Sequence, residues 1–296
     1  LALQEPTALF AINDACNNYG LDIVLAGCSI GWAIECYEHG ILTKEDTDGV
    51  ELEWGNDKQV LQLIDMIAHR QGFGDLLSQG CARAAEIVGK DSDKYAVYCK
   101  KQDQVESIRG ANIWALGLLT STRGGGHTTS MACYEQTTFI DKDRLFQVPG
   151  VDHLDEPLSY EGKAEAVAYF EVLCRVCNCT GICLANTVWS GMNPDYLNLK
   201  DLAEILSAAT GKEYTEEALT EICMRQLLLE KAFNLRHTEY GRNDDMPRGR
   251  ELTDPISSGK LKGWKFDIEK LNKMLDDYYI IHDWDPTNSY PTRAAY

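Results

Sequence analysis

Four cysteines fall within ten residues in the run Cys174-Arg175-Val176-Cys177-Asn178-Cys179-Thr180-Gly181-Ile182-Cys183. Thiolates at this density suit zinc or an iron–sulfur cluster. The spacing is neither the two separated C-x-x-C pairs of a zinc ribbon nor the C-x-x-C-x-x-C run of a ferredoxin. Residues 161–173 read as a helix leading into the run. Cys174 and Cys177 can therefore face a core, which leaves Cys179 and Cys183 in the following turn for a metal. One turn cysteine does not hold a cluster alone, so further ligands would come from elsewhere in the protein.

Two other segments depart from ordinary helical sequence. In residues 120–131, three consecutive glycines (Gly124, Gly125, Gly126) precede His127. Glycines permit positive φ and close backbone approach to a ligand, and a histidine held there can act as acid or base near neutral pH. The alternative is a flexible surface turn with a solvated histidine. A phosphate-binding loop is excluded because the G-K-[ST] ending is missing. In residues 16–32, Gly20 sits just before Leu21 and Asp22, so a helix ending at Gly20 would present backbone groups and a carboxylate at a loop able to hydrogen-bond a flat polar ring. The alternative is a helix C-cap followed directly by another helix. Cys28, six residues beyond Asp22 in a stretch read as loop, is either a metal-directed thiol or a small buried residue.

The elements that must position these groups are mainly helical. Val60, Leu63, Ile64 and Ile67 fall on one face of a helix over 56–70, with Asn56 as its cap, Gln59 reaching back to close a capping box, and Gly72 and Gly74 stopping it. A second helix is predicted over 75–89. Thr215 opens a long helix with Glu216 and Glu217 in its first turn, where the helix dipole favours negative charge, and with Leu219, Ile222, Cys223 and Leu227 as its apolar face. Strand character is confined to 94–100, which leads into a charged linker. The predicted domains are therefore 1–97 and 98–296. Residues 141–160 read as polar loop, and 244–265 as an ordered surface wrap.

The net charge of -18, from 46 acidic against 28 basic residues, argues against nucleic acid, which needs a basic footprint, and against an anionic membrane surface. Eleven cysteines, an odd number with no export signal, point to a reducing cytoplasm and to metal ligands over disulfides. Cys36, Cys81, Cys99, Cys133 and Cys223 read as small core residues. The chain starts at Leu1 beside an apolar run and reads as a segment of a longer protein.

Taken in order, the three segments resemble the second half of the aldehyde:ferredoxin oxidoreductase family, in which a D-x-x-G-L-(D/C) motif occurs twice and each copy touches one of two pterins that hold tungsten. Here the copies read Asn17-Asn18-Tyr19-Gly20-Leu21-Asp22 and Asn178-Cys179-Thr180-Gly181-Ile182-Cys183. Both start with Asn where the family usually has Asp, keeping a carbonyl acceptor but losing the charge. Residues 121–127 resemble the family's S-x-R-G-x-x-H segment, whose histidine lies beside the metal, although Thr129 stands where a basic residue is common. Residues 32–56, 64–80, 228–250 and 274–292 resemble the family's central and C-terminal domains.

The resemblance implies a mainly α fold of two helical domains, the family's second and third, without its N-terminal pterin-binding domain. It implies a tungsten or molybdenum bis-molybdopterin and a [4Fe–4S] cluster. Asn17, Gly20, Leu21 and Asp22 would contact one pterin, and Asn178, Gly181 and Ile182 the other. Cys183 would be the fourth cluster ligand; the C-x-x-C-x-x-x-C run that supplies the other three in the family does not occur in this sequence. His127 would transfer a proton as an aldehyde is oxidised to a carboxylic acid, with electrons leaving to ferredoxin or an iron–sulfur subunit, in a cytoplasmic homodimer or larger complex. Cys28 as a tungsten ligand would mark a different enzyme, such as the catalytic subunit of a tungsten-type benzoyl-CoA reductase acting on an aromatic substrate. Two further alternatives are a cofactor-free helical interaction protein and a small zinc or iron–sulfur protein built on the four clustered cysteines.

Overall fold

The computed structural model describes all residues except 105, 106, 130–134, 136–145, 153, 191–194 and 296. Among the described residues, eleven α-helices, two short hairpins and several 3-10 turns make up the regular structure. The chain forms two units: residues 1–107 with 248–254, and residues 108–247 with 255–296. Among the described residues no single helix is long and apolar enough to cross a membrane.

The first unit opens with α1 (Pro6–Tyr19), α2 (Ile23–Glu38) and α3 (Asp57–His69). Asn56 caps α3 by accepting from the Gln59 amide at 3.1 Å, and Val60, Leu63, Ile64 and Ile67 are buried as their spacing predicts. The expected capping box does not close. The Gln59 side chain instead accepts from the Glu53 amide at 2.9 Å and donates to the Glu51 carbonyl, tying down the turn that enters the helix. Arg70, at φ 50°, terminates α3, not the glycines beyond it. Gly74 serves another purpose: a Cβ there would collide with the Met66 backbone, so a glycine lets α4 (Phe73–Leu77) lie against α3. The single helix expected over 75–89 is two, α4 and α5 (Cys81–Val88), separated at Gly80, whose φ is 79°.

The strand expected over 94–100 shrinks to β1 (Tyr98–Cys99), paired antiparallel with β2 (Gln102–Asp103), because residues 92–95 turn as a 3-10 helix. Asp103 then fixes where the unit ends. Its buried carboxylate accepts from the Cys81 amide at 3.0 and 3.1 Å, satisfying the start of α5, and from the Ser29 hydroxyl at 3.2 Å. These bonds hold the hairpin to the first unit and place the division after residue 107, ten residues beyond the boundary expected after 97.

The second unit is built around α7. It contains α6 (Asn112–Thr120), α7 (Lys163–Thr180), α8 (Leu199–Thr210) and α9 (Glu216–His237). After α10 (Arg250–Thr253), which lies in the stretch that joins the first unit, come α11 (Ile268–Ile281) and the hairpin β3 (Trp284–Asp285)–β4 (Tyr290–Pro291). α6, α9 and α11 all pack on α7, so α7 is buried nearly all round and α6 throughout. Thr215 caps α9 as expected, accepting from the Ala218 amide at 3.2 Å. The buried face of α9 repeats every four residues, Leu219, Cys223, Leu227 and Lys231, and leaves the expected core residue Ile222 43% exposed. Within 244–265, expected as surface wrap, Asp245 and Glu251 are buried. Part of the loop expected over 141–160 (141–145 and 153) and Cys133 lie outside the described residues.

Candidate active site

The first motif sits in the first unit at a helix–helix corner. α1 ends on Gly20 at φ 69°, whose amide donates to the Asn17 carbonyl at 3.2 Å, while the Leu21 amide donates to the Cys16 carbonyl at 2.8 Å. Asp22 begins α2: its Oδ1 accepts from the Val24 and Leu25 amides at 2.9 and 3.1 Å. Gly20, Leu21 and Asp22 rim a cleft of about 270 Å³ whose wall carries Ser29, Arg83 and Asp103. A Cβ on Gly20 would meet nothing within 4 Å, so approach to this corner is open.

Cys28 does not face that cleft. The stretch read as a loop is the interior of α2, and the half-buried Cys28 thiol is directed to the Gln104 carbonyl at 3.6 Å. It opens on a separate cleft of the same unit with Trp32, Trp54, Tyr95 and Arg250. Burial, with Asp103 and Asp22 adding to it, pushes the thiol up to about 11. A metal bound there would have to draw off that proton to gain a thiolate ligand.

The second motif closes α7. Gly181, at φ 76°, donates to the Cys177 carbonyl at 2.9 Å, and an added Cβ would again meet nothing within 4 Å. The four clustered cysteines separate by depth. Cys174 and Cys177 are buried on the helix, and burial raises both thiols, that of Cys177 to about 11. Cys179 and Cys183 are exposed, with Cys179 Sγ 3.3 Å from Gln226 Oε1. Among the described residues no group of three or more His, Cys, Asp or Glu side chains is arranged to hold a metal ion. What is offered is one accessible thiol in the turn, Cys183, and one, Cys179, in the last turn of α7. That suits a cluster whose other ligands are supplied from outside these residues, and not a free-standing four-cysteine site. Cys36, Cys81, Cys99 and Cys223 are buried, as core residues should be.

The glycine-rich segment follows α6 in the second unit and is tethered at both sides. Gly124 and Gly125 adopt φ of 71° and 47°. The Ser121 and Thr129 hydroxyls meet at 2.7 Å across its mouth. Thr122 donates from its hydroxyl to Glu230 Oε2 at 2.6 Å and accepts at its carbonyl from Asn234 Nδ2, also at 2.6 Å. Arg175 Nη1 donates to the Thr129 carbonyl at 3.3 Å. Within this frame His127 is half-buried, its ring stacked on Trp114 with centroids 5.9 Å apart and planes 19° apart. The Trp114 indole N–H is buried without a hydrogen-bond partner among the described residues. The loop is therefore not the flexible turn that its glycines alone would allow.

Arg175 and Glu230, which carry this frame, were not singled out by the sequence. One signal was available: Arg175 interrupts a run of apolar and cysteine residues on a helix, and buried arginines are rare unless paired. Arg175 is 4% exposed and binds Glu230 Oε2 at 2.9 Å. Glu135, also overlooked, is fully buried and accepts from the Ile113 and Trp114 amides at 2.7 and 3.0 Å and from Lys163 Nζ at 3.2 Å, so it satisfies the start of α6 and fixes Trp114.

The whole chain, residues 1–296, matches the family model described as aldehyde ferredoxin oxidoreductase, domains 2 and 3. It is 29% identical over 293 residues to the tungsten-containing aldehyde ferredoxin oxidoreductase of Pyrococcus furiosus, covering 98% of this chain and 45% of that protein. It is 36% identical over 292 residues to the WOR-like subunit of an aliphatic sulfonate oxidoreductase from the same organism, covering 94% of this chain and 40% of that one. The chain thus spans somewhat less than half the length of these relatives. Its fold resembles a chain of the active-site complex BamBC of benzoyl-coenzyme A reductase, with a TM-score of 0.72 at 21% identity, over 96% of this chain and 45% of the other.

Proposed function

Because the chain belongs to the aldehyde ferredoxin oxidoreductase family through that family's domains 2 and 3, we propose that it forms the helical half of a tungstopterin oxidoreductase that converts an aldehyde to a carboxylic acid. The observation that carries this reading is found within each unit by itself: a left-handed glycine cap open to approach, Gly20 in the first and Gly181 in the second, the second unit also holding a tethered histidine on Trp114. When bound, the tungsten–pterin group supplies the redox chemistry: aldehyde and water give carboxylic acid, two protons and two electrons.

The remaining roles fall to this chain's own residues. Gly20, Leu21 and Asp22 hold one pterin, and Gly181 and Ile182 the other, with Asn17 and Asn178 as acceptors for ring amino groups. Asp22 Oδ1 is engaged as a helix cap, which fixes the direction of the carboxylate. Cys183, exposed one residue beyond the second motif's Ile182, would donate its thiolate to the [4Fe–4S] cluster. His127, oriented by Trp114, accepts or delivers a proton at an imidazole nitrogen. The electrons would be taken up by a ferredoxin or an iron–sulfur subunit. A second reading, in which the protein is a subunit acting on another substrate class such as an aliphatic sulfonate, is favoured by the 36% identity to the WOR-like subunit.

Metal analysis of the native, anaerobically purified protein tests the first reading, combined with viologen reduction on aldehydes, aliphatic sulfonates and benzoyl-CoA. About one tungsten and about four iron atoms per chain with aldehyde-dependent dye reduction support it. Turnover of sulfonates alone moves the protein to the second reading. Absence of both metals removes either redox assignment.

A further inference from the structure

We propose that Glu230 is the positioning residue for His127, acting through the two tethers of the glycine-rich loop; this rests on the reading of His127 as the proton-transfer group. Three successive glycines lose more backbone freedom on ordering than any other sequence would, so the loop holds one shape only if something outside it enforces that shape. Glu230, on α9, does so at a single atom. Its Oε2 accepts the Thr122 hydroxyl at 2.6 Å from one side of the loop and Arg175 Nη2 at 2.9 Å. The same guanidinium reaches the other side, donating Nη1 to the Thr129 carbonyl at 3.3 Å. Glu230 Oε1 is held in turn by Gln226 Nε2 at 3.2 Å, one helical turn earlier.

Removing the carboxylate therefore affects both tethers. Thr122 loses its acceptor directly. Arg175, buried and already with an unpartnered Nε among the described residues, keeps the Glu171 carboxylate near its charge but loses the acceptor that orients its Nη2. A buried donor left without its acceptor is costly, so the guanidinium shifts and releases Thr129. A purely structural ion pair would be expected to shift stability alone. An ion pair wired to both sides of the loop should shift the placement of His127, and misplacement of a reacting group by about 1 Å costs on the order of 10²-fold in turnover.

The contact between His127 and Trp114 gives a readout independent of activity, since a protonated imidazole stacked on an indole quenches its fluorescence. In the full-length holoprotein, the pH-dependent quench that disappears in both Trp114→Phe and His127→Ala is the signal. Glu230→Ala should lose most of that quench and lower kcat on the order of 10²-fold, with KM nearly unchanged. Glu230→Gln keeps a carbonyl oxygen for Thr122 and Arg175 and should retain the quench and most of the turnover. Thr122→Val cuts one tether without touching the ion pair and should weaken the quench partially, which keeps the test valid if Glu230→Ala fails to fold. Full quench amplitude in Glu230→Ala, or in Thr122→Val where the alanine variant cannot be obtained, overturns the proposal. Loss of the quench with full turnover in both Glu230→Ala and His127→Ala would leave the positioning role standing and remove the proton-transfer role instead.

Discussion

His282 Nε2 lies 2.8 Å from Glu171 Oε2, and each side chain is 1% exposed. The other ring nitrogen, Nδ1, is 2.7 Å from the Tyr278 carbonyl, and the Tyr278 hydroxyl donates to Glu171 Oε1 at 2.8 Å. A carbonyl only accepts, so Nδ1 carries a proton, and a proton is shared between Nε2 and Glu171. This assembly joins α11 to α7 at the turn that also bears Arg175. Glu171→Ala leaves His282 and Tyr278 facing a vacated acceptor and should cost about 3–5 kcal/mol. Tyr278→Phe removes one donor and should cost about 1 kcal/mol. Chemical denaturation of the two variants measures both, and equal losses would show that Glu171 is not the hub.

Thiol labelling should follow the depth order of the cysteines. In metal-free protein Cys179 and Cys183 label first, and Cys16, Cys36, Cys81, Cys99, Cys174, Cys177 and Cys223 only on unfolding, because they are buried. Cys28 is the discriminating case. Its thiol is pushed from 9.0 to about 11, so at pH 8 its thiolate fraction, and hence its labelling, is lower by about 10²-fold than for an unshifted thiol. The sign is that of an acid whose neutral form is favoured. Its rate should therefore climb about tenfold per pH unit between pH 8 and 10, before levelling near 11. Mass spectrometry of timed alkylation follows each site. Labelling of Cys28 as fast as Cys179 at pH 8 would support it as a candidate metal ligand.

The same experiment on iron-loaded protein separates the two exposed thiols. Cys183 should become protected while Cys179 stays reactive, and Cys183→Ala should lose or convert the cluster's EPR signal. An unchanged [4Fe–4S] signal in that variant rules out Cys183 as a ligand.

Helix existence, the Asn56 and Thr215 caps and the burial of most cysteines were legible because each depends on residues within a turn or two of one another. So was the division of the cysteine run into buried and exposed pairs, although Cys179, expected in the following turn, lies in the last turn of α7 and only Cys183 lies beyond Gly181. What escaped were bonds between residues far apart in the chain: Arg175 with Glu230 across 55 positions, Glu171 with His282 across 111, and Thr122 with Asn234 across 112. Periodicity carries no information about such pairs. The misreadings nearer in sequence have local causes. Cys28 falls in a stretch read as loop that includes Gly27 and Gly31, yet α2 continues through both. The helix over 75–89 breaks because Gly80 adopts positive φ, with Asp103 close by.

Two glycine substitutions should differ in kind. Gly74→Ala places a methyl group into the Met66 backbone, so α4 must move off α3, at a cost of about 1–3 kcal/mol. Gly20→Ala meets no neighbour within 4 Å and costs only the left-handed conformation at φ 69°, about 1–2 kcal/mol. The distinction shows in function more than in stability. Gly20→Ala should lower pterin content, because its added methyl occupies the open corner, whereas Gly74→Ala should lower only the thermal midpoint. Full pterin content in Gly20→Ala would detach the first motif from cofactor binding.

His127→Ala should lower aldehyde turnover by about 10²- to 10⁴-fold, the range for a lost general acid or base, with tungsten and iron contents unchanged. The retained metal content matters because His127 touches Trp114 and sits in a loop bound to α7 and α9, so a collapsed site would also reduce turnover. Replacement by alanine keeps the tethers at Thr122 and Thr129 intact, since neither involves the imidazole. Loss of turnover with the metals in place and KM within a few-fold therefore isolates the proton-transfer step from binding. If turnover is restored by added imidazole, the missing group is the ring itself. If His127→Ala turns over at the native rate, the loop's ordered geometry serves something other than proton transfer, and the histidine leaves the mechanism.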